Sequence, residues 1–323
     1  MPLEPIKRRG YAQQDRVDAE ESVATAVEAD PEPFIRAYLQ DHRSFAGRYI
    51  AADLFKETFA VYRQSKNSRN RYNTPVHNTA AVLAAEQLRR MLADQSQPDR
   101  NVGVFLTGIP GAGKTSSVLS SNTEMPPMYR AVFEGQLSKL ETTQGKIQQV
   151  LEAGLKPVIL VVHVSPEMAL ENVITRYYEE GRGASINVMS DIQGNLSGTL
   201  TEIHQRFGAR VELFIQDNRD RSNPRSLSGW SQLAILETEG THEEIKQRLS
   251  VDLERRRKDG TVSDCCYQQA IGGIPIERDE HLDGVYQQRH QANGRGRSVP
   301  PGDRQGSVVT GAESKSPTKG GRP

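Results

Sequence analysis

Cysteine is nearly absent, with two in 323 residues, adjacent at Cys265 and Cys266. Neighbouring cysteines bridge only with strain, so no disulfide framework holds the chain, and the usage suits a reducing cytoplasm. Both thiols read as incidental residues of a flexible region. Long apolar runs are missing too. The strongest, Val158 to Val162, is far too short to span a bilayer. The N-terminal MPLEPIKRRGYAQQD has no apolar stretch behind its charges, which argues against a secretory signal. Net charge is absent as well, since 41 basic residues cancel 41 acidic ones. The body of the chain therefore calls for neither a nucleic-acid nor a membrane partner. Aromatics make up only 6% and the mean hydropathy is -0.62, as in a polar chain with unstructured parts.

What is present is an alternation of apolar runs and helical periods. Residues 1–30 are polar and acidic with weak periodicity, read as a loose helix or tail. Residues 31–100 form a mainly helical block expected to pack on the core. Inside it, RYIAAD (Arg48 to Asp53) is either a strand ending at an acid or a helical turn. RQSKNSRNRYN reads as a polar loop. Thr74 and Pro75 read as N-cap and first-turn proline of an amphipathic helix ending near Leu92.

Residues 101–220 carry the clearest signal. Strands are expected at Asn101 to Gly108, Tyr129 to Gly135, Lys156 to Val164 and Arg210 to Asn218. Helices are expected from about Gly113, from a Ser138/Glu141 capping box to Gly154, from Ser165-Pro166 to about Tyr178, and again after GRGAS. This alternation predicts an α/β fold with a parallel sheet flanked by helices. In residues 221–260, SQLAILETE reads as a weak strand, and Thr241 with Glu244 caps a charged helix to about Lys258. Residues 261–323 read as a largely disordered tail, rich in Gly, Pro, Ser and Arg from about Arg289. Its mildly basic end is either a nucleic-acid contact or an unstructured solubilising end.

The first expected strand runs into Gly108, Ile109, Pro110, Gly111, Ala112, Gly113, Lys114 and Thr115, followed by Ser116. This is a complete phosphate-binding loop between a strand and a helix, which makes the sheet one of P-loop NTPase or kinase type. Its glycines let backbone N–H groups turn toward phosphate oxygens, and the helix start adds a positive dipole end. Lys114 would neutralise the β- and γ-phosphates of ATP, and the Thr115 hydroxyl would ligate Mg²⁺. Transfer to a hydroxyl acceptor further needs a carboxylate to orient it. Ser116 to Met128 offers only Glu124, beside two prolines. Glu134 ends a strand, where it either helps hold Mg²⁺ or serves as an ordinary turn acid.

VFLTGIPGAGKTSS, then VFEGQLSKLETTQGKIQQVLEAGLKPVILVVHVSPEMALENVITRYYEEGRGAS, and later VELFIQDNRD, resemble the zeta toxin family of P-loop kinases. The resemblance covers about Val102 to Asp220. It implies phosphorylation of UDP-N-acetylglucosamine with ATP and Mg²⁺, and a helical antitoxin partner. In that family the acceptor-activating aspartate follows the P-loop helix on its own strand, a segment missing here. YIAADLFKETFAVY resembles that strand–Asp–helix stretch, yet it precedes the P-loop. The resemblance therefore implies a circular permutation with Asp53 as the base. The sheet neighbours allow it, because the short Ser116 to Met128 link can serve as a crossover of about a dozen residues. A helix N-cap is the ordinary alternative for Asp53.

Arg176 and Arg182 match the two family arginines that close over ATP, and a planar guanidinium suits a transferring phosphoryl group. Surface charges at a helix end are the alternative. His77 is read as a half-buried structural histidine that could otherwise meet an acceptor hydroxyl. Lys56, Arg69 and Arg71 are either solvated charges or contacts to an acceptor diphosphate. One stretch departs from the family. EGQLSK has Gln136 in place of a threonine and Lys139 one place after an expected arginine, which leaves the acceptor open. The reading is a kinase for a small acceptor, with a nucleotide-dependent regulatory protein of little turnover as its rival.

Overall fold

The computed structural model describes residues 3–119, 125–137, 139–278 and 283–288. In chain order the elements are α1 (Gln14–Ala29), α2 (Glu32–Gln40), β1 (Tyr49–Ala51), α3 (Ala52–Lys56), α4 (Ala60–Arg63), α5 (Lys66–Tyr72) and α6 (His77–Ala93). Then come β2 (Val102–Thr107), α7 (Lys114–Leu119), β3 (Tyr129–Glu134), α8 (Leu140–Glu152), β4 (Lys156–His163), α9 (Pro166–Glu180) and α10 (Ile186–Phe207). Last are β5 (Glu212–Asp217), β6 (Arg225–Ser228), α11 (Ala234–Glu237), α12 (His242–Lys258) and α13 (Asp264–Ala270).

The six strands form one sheet in the order β1-β3-β2-β4-β5-β6. All neighbours are parallel except β5 and β6. Central strands are buried almost throughout, as apolar runs with helices on a parallel sheet must be. α6 packs on β1 and β3, and α8 packs on β4. The α/β fold of P-loop kinase type is therefore the fold observed. Among the described residues no helix is long and apolar enough to cross a membrane.

RYIAAD is a strand followed by a helix. β1 pairs with β3 in the register Tyr49↔Val132, Ile50↔Phe133, Ala51↔Glu134. As an edge strand, β1 would leave backbone groups without partners. Tyr38 on α2 covers them: its buried hydroxyl donates to the Tyr49 carbonyl at 2.7 Å and accepts from the Ala51 N–H at 3.0 Å. The Arg48 guanidinium adds a bond to the Pro126 carbonyl at 2.9 Å, tying the entry of β1 to the entry of β3.

Several expectations are corrected. The acidic N-terminal segment is a packed helix, burying Ala19, Val23, Ala24 and Val27 against the core. RQSKNSRNRYN is largely α5, started by the Ser65 side chain accepting from the Ser68 N–H. The helix after Thr74-Pro75 begins at His77 with Val76 as N-cap. α8 is capped at Lys139 without a side-chain hydrogen bond, and Ser138 lies outside the described residues. SQLAILETE is a 3-10 turn and α11, while the last strand is RSLS, antiparallel at the edge.

The tail expectation fails at its start. α13 buries Cys266 and Ala270, so the cysteines sit in a packed helix, and burial pushes the Cys266 thiol up to about 12. Asn67 on α5 exchanges hydrogen bonds with the Arg278 backbone at 2.9 and 3.3 Å, which ties this segment to the N-terminal block. The expected disorder from Arg289 onward lies outside the described residues.

Replacing Tyr38 with Phe leaves the Ala51 N–H buried and unpaired, at a cost of about 1–3 kcal/mol. Tyr38→Phe should lower the chemical-denaturation stability by that amount and leave metal-free nucleotide affinity unchanged. An unchanged denaturation midpoint would show that β1 does not depend on this hydroxyl.

Candidate active site at the carboxyl edge of the sheet

Segments far apart in sequence meet at the carboxyl edge of the parallel strands, where open α/β sheets hold ligands. β2 delivers the phosphate-binding loop, β3 ends on Glu134, β1 turns into α3 beside Asp53, and α9 with its following loop carries Arg176 and Arg182.

Gly111 has φ +88, and a Cβ there would stand 2.3 Å from the Ala169 carbonyl oxygen. Only glycine allows both this turn and this approach to α9. Asn172 on α9 donates its side-chain N–H to the Gly111 carbonyl at 2.7 Å. The loop is thus braced by the helix that bears Arg176. Lys114 Nζ donates to the Gly108 and Ile109 carbonyls at 2.9 and 3.3 Å and lies 3.7 Å from Glu134 Oε1. Burial lowers the proton affinity of Lys114, and Glu134 restores part of it.

Glu134 accepts a short hydrogen bond from the Tyr49 hydroxyl, and Thr115 Oγ1 lies 3.4 Å from the same tyrosine oxygen. Tyr49 is 1% exposed. Burial, then Glu134, pushes its phenol well above the usual value, so it stays protonated.

Asp53 is the second residue of α3, whose N-cap is Ala51, so the capping alternative does not apply. Its carboxylate accepts from Lys56 Nζ at 2.8 Å and lies 3.9 Å from Arg182 Nη1. The Lys56 ammonium outweighs burial and, with Arg182 and Arg176, holds this carboxyl well below the usual range. The Asp53 side chain is 46% exposed, so water screens part of the effect. Lys56 is buried and also donates to Asn73 Oδ1 at 2.8 Å. It is therefore a fixed partner of the acid and not a solvated charge. Burial opposes the Arg182 charge, but Asp53 and Glu180 outweigh it.

The site carries an excess of positive charge, with Lys56, Lys114, Arg176 and Arg182 facing Asp53 and Glu134. Among the described residues, the buried Arg176 Nε has no hydrogen-bond partner. Both features fit the phosphate chain of a nucleotide. Among the described residues no group of three or more His, Cys, Asp or Glu could hold a metal alone. A divalent ion here would need phosphate and water oxygens beside Thr115 and Glu134, which is the habit of Mg²⁺.

Residues 123–223 match the family model described as Zeta toxin. Over those residues, about a third of the chain, the sequence is similar to the zeta toxin family. Among solved structures, one from the PezAT chromosomal toxin-antitoxin system of Streptococcus pneumoniae is similar over 78% of this chain and 98% of that chain, at 13% identity and a TM-score of 0.38. No curated protein sequence matches.

The zeta toxin segment contains Glu134, Arg176 and Arg182. Lys114 and Thr115 precede it, and Asp53 lies farther upstream, yet all of them gather at one edge. Three other residues stand differently. Arg71 is paired with Asp15 at 2.7 Å, and Arg69 with Glu57 at 3.0 Å. His77 is lowered to about 4, by burial first and then by Lys56, and is neutral at neutral pH. Sequence reasoning missed Tyr49, because a tyrosine opening a strand is ordinary β composition. It also missed Asn172, which has no signature outside the fold.

A carboxylate serves as a base only when ionised, so any activity that depended on Asp53 would be lost only as pH falls through its depressed pKa, below the ordinary 3.8. Lys56→Met removes the leading cause of that depression. The acid limb of kcat/KM should move to higher pH in this variant. An unmoved limb would mean that Lys56 does not set the protonation of Asp53.

Proposed function

We propose that the chain is an ATP-dependent phosphotransferase of zeta toxin type, acting on a hydroxyl of a small acceptor, a nucleotide-sugar such as UDP-N-acetylglucosamine. The observation that carries this reading is the ion pair of Asp53 with Arg182, which joins the upstream acid to the zeta toxin segment at the mouth of the phosphate loop. The loop amides, Lys114 and Ser116 bind the phosphates. Mg²⁺ would supply charge neutralisation between the phosphates, with Thr115 and Glu134 as its protein partners.

Asp53 orients the acceptor hydroxyl and takes its proton as the new P–O bond forms and the bond to the ADP oxygen breaks. Arg176 and Arg182 draw charge from the transferring oxygens, an effect worth about 10³ or more in rate. Beside α3 a cavity of about 290 Å³ is lined by Leu54 and Glu57 together with Arg43, Arg63 and Arg69. Arg43 and Arg69 are paired there with Asp41 and Glu57, so the cavity offers room for an acceptor, with Arg63 as its remaining lining cation. Domain limits at residues 30, 100, 220 and 260 belong to the same proposal, with residues 31–100 working as part of the kinase unit. So do a cytoplasmic setting, where ATP is available, and a helical antitoxin as protein partner.

One observation favours a second reading, a nucleotide-dependent regulatory protein with little turnover. Asp53 is held by Lys56 and Arg182, which makes it a weak base. Phosphoryl transfer through a loose transition state asks mainly for orientation and late proton acceptance, so kinase activity remains the better reading.

The test is transfer from labelled ATP with Mg²⁺ to UDP-N-acetylglucosamine, by the wild type, Lys114→Ala and Asp53→Asn. Labelled sugar nucleotide from the wild type alone is expected. Product from Asp53→Asn at the wild-type rate would remove the base assignment. Tight ATP binding without any product would shift the reading to another acceptor or to the regulatory role.

A further inference from the structure

The family resemblance accounts for Asp53, Glu134 and the two arginines, but not for Tyr49. This buried phenol sits on the edge strand, contributed by the block that precedes the P-loop, and reaches two groups of the site at once. A tyrosine hydroxyl has one proton to give and an oxygen that can accept. The contact with Glu134 is the shorter, so the proton is directed there. The 3.4 Å contact with Thr115 Oγ1, in which the phenol is likewise the donor, is the weaker of the two.

We propose that Tyr49 is a positioning residue that orders Glu134, beside Thr115, as a partner of a divalent cation. Tyr49 donates a hydrogen bond to one oxygen of the Glu134 carboxylate, so the carboxylate is held in one orientation with its remaining lone pairs free for the nucleotide side. No other hydrogen bond to the Glu134 carboxylate stands among the described residues, where Lys114 Nζ at 3.7 Å is its other charged neighbour. Without the phenol, Glu134 would be drawn to Lys114 and its carboxylate would turn away from Thr115. The lever works only because β1 lies beside β3, with Ala51 abreast of Glu134.

The inference rests on Lys114 and Thr115 being the phosphate cradle of a nucleotide, and the experiment separates the two ideas. Free Mn²⁺ is followed by electron paramagnetic resonance as protein and a non-hydrolysable ATP analogue are added, and analogue binding is measured separately in EDTA. Tyr49→Phe should weaken Mn²⁺ binding about tenfold or more, as loss of a partner behind a metal ligand does. Affinity for the analogue in EDTA should not change. In a Glu134→Gln background the same substitution should add much less.

An unchanged Mn²⁺ affinity overturns the proposal. An equal loss in EDTA, or a full additional loss beside Glu134→Gln, also overturns it, because Tyr49 would then be supporting the loop in general. A wild type that binds neither analogue nor Mn²⁺ overturns the cradle reading together with it. Phe keeps the ring that fills the sheet edge. Should melting nonetheless show an unfolded variant, difluorotyrosine at position 49 keeps the ring and hydroxyl while changing the acidity of the phenol. Mn²⁺ affinity must then shift, and no shift counts against the proposal.

Discussion

Strand β1 is three residues long and has a single neighbour in the sheet, yet the arrangement of the site hangs on that pairing. Through it, residues far upstream of the P-loop reach the edge where the loop, Glu134 and the arginines lie. A short edge strand is weak by itself, and the protein compensates from outside the sheet. Tyr38 closes the open backbone groups, Arg48 ties the strand entry to the β3 entry, and α6 lies across both strands. Each neutral bond contributes only about 1 kcal/mol net. Their importance lies in fixing register, because a slip of one residue would turn Tyr49 and Ala51 to the other face.

The same pairing makes a permuted chain order physically ordinary. Because β3 and β2 are neighbours, a helix lying over β1 and β3 can hand the chain to β2 without leaving its place, and α6 does so. The connection from α7 to β3 then crosses only to an adjacent strand. Permutation alters which loops join the elements and leaves the contacts between elements alone, which is why the charge cluster can assemble from either order.

Legibility in the sequence followed the physical kind of signal. The buried parallel strands read correctly, because continuous apolar runs between turn residues have few other uses. The turn from β2 into α7 was legible because its glycine spacing answers a backbone requirement, seen at Gly111 against Ala169. α5 was misread since its polar residues are stabilised by tertiary pairs, Arg71 with Asp15 and Asn67 with Arg278, that no local pattern displays. β6 was missed because its side chains are mostly exposed and it is held by backbone pairing. α13 was taken for tail because Cys266 and Ala270 are small residues, yet they bury well against α12.

The site shows the same limit in sharper form. Lys56 looked like a solvated charge and is instead buried against Asp53 and Asn73. Burying an ammonium costs several kcal/mol unless an acid and further hydrogen bonds compensate it, so this pair cannot be incidental to the position of Asp53. The carboxylate keeps its charge because Lys56, with Arg182 and Arg176, outweighs burial, and its side chain keeps contact with solvent. Held this way, Asp53 gives up basicity for a fixed direction. For the phosphoryl transfer proposed above, whose transition state would gather charge on phosphoryl oxygens and ask little of the base, a fixed direction is the more useful property.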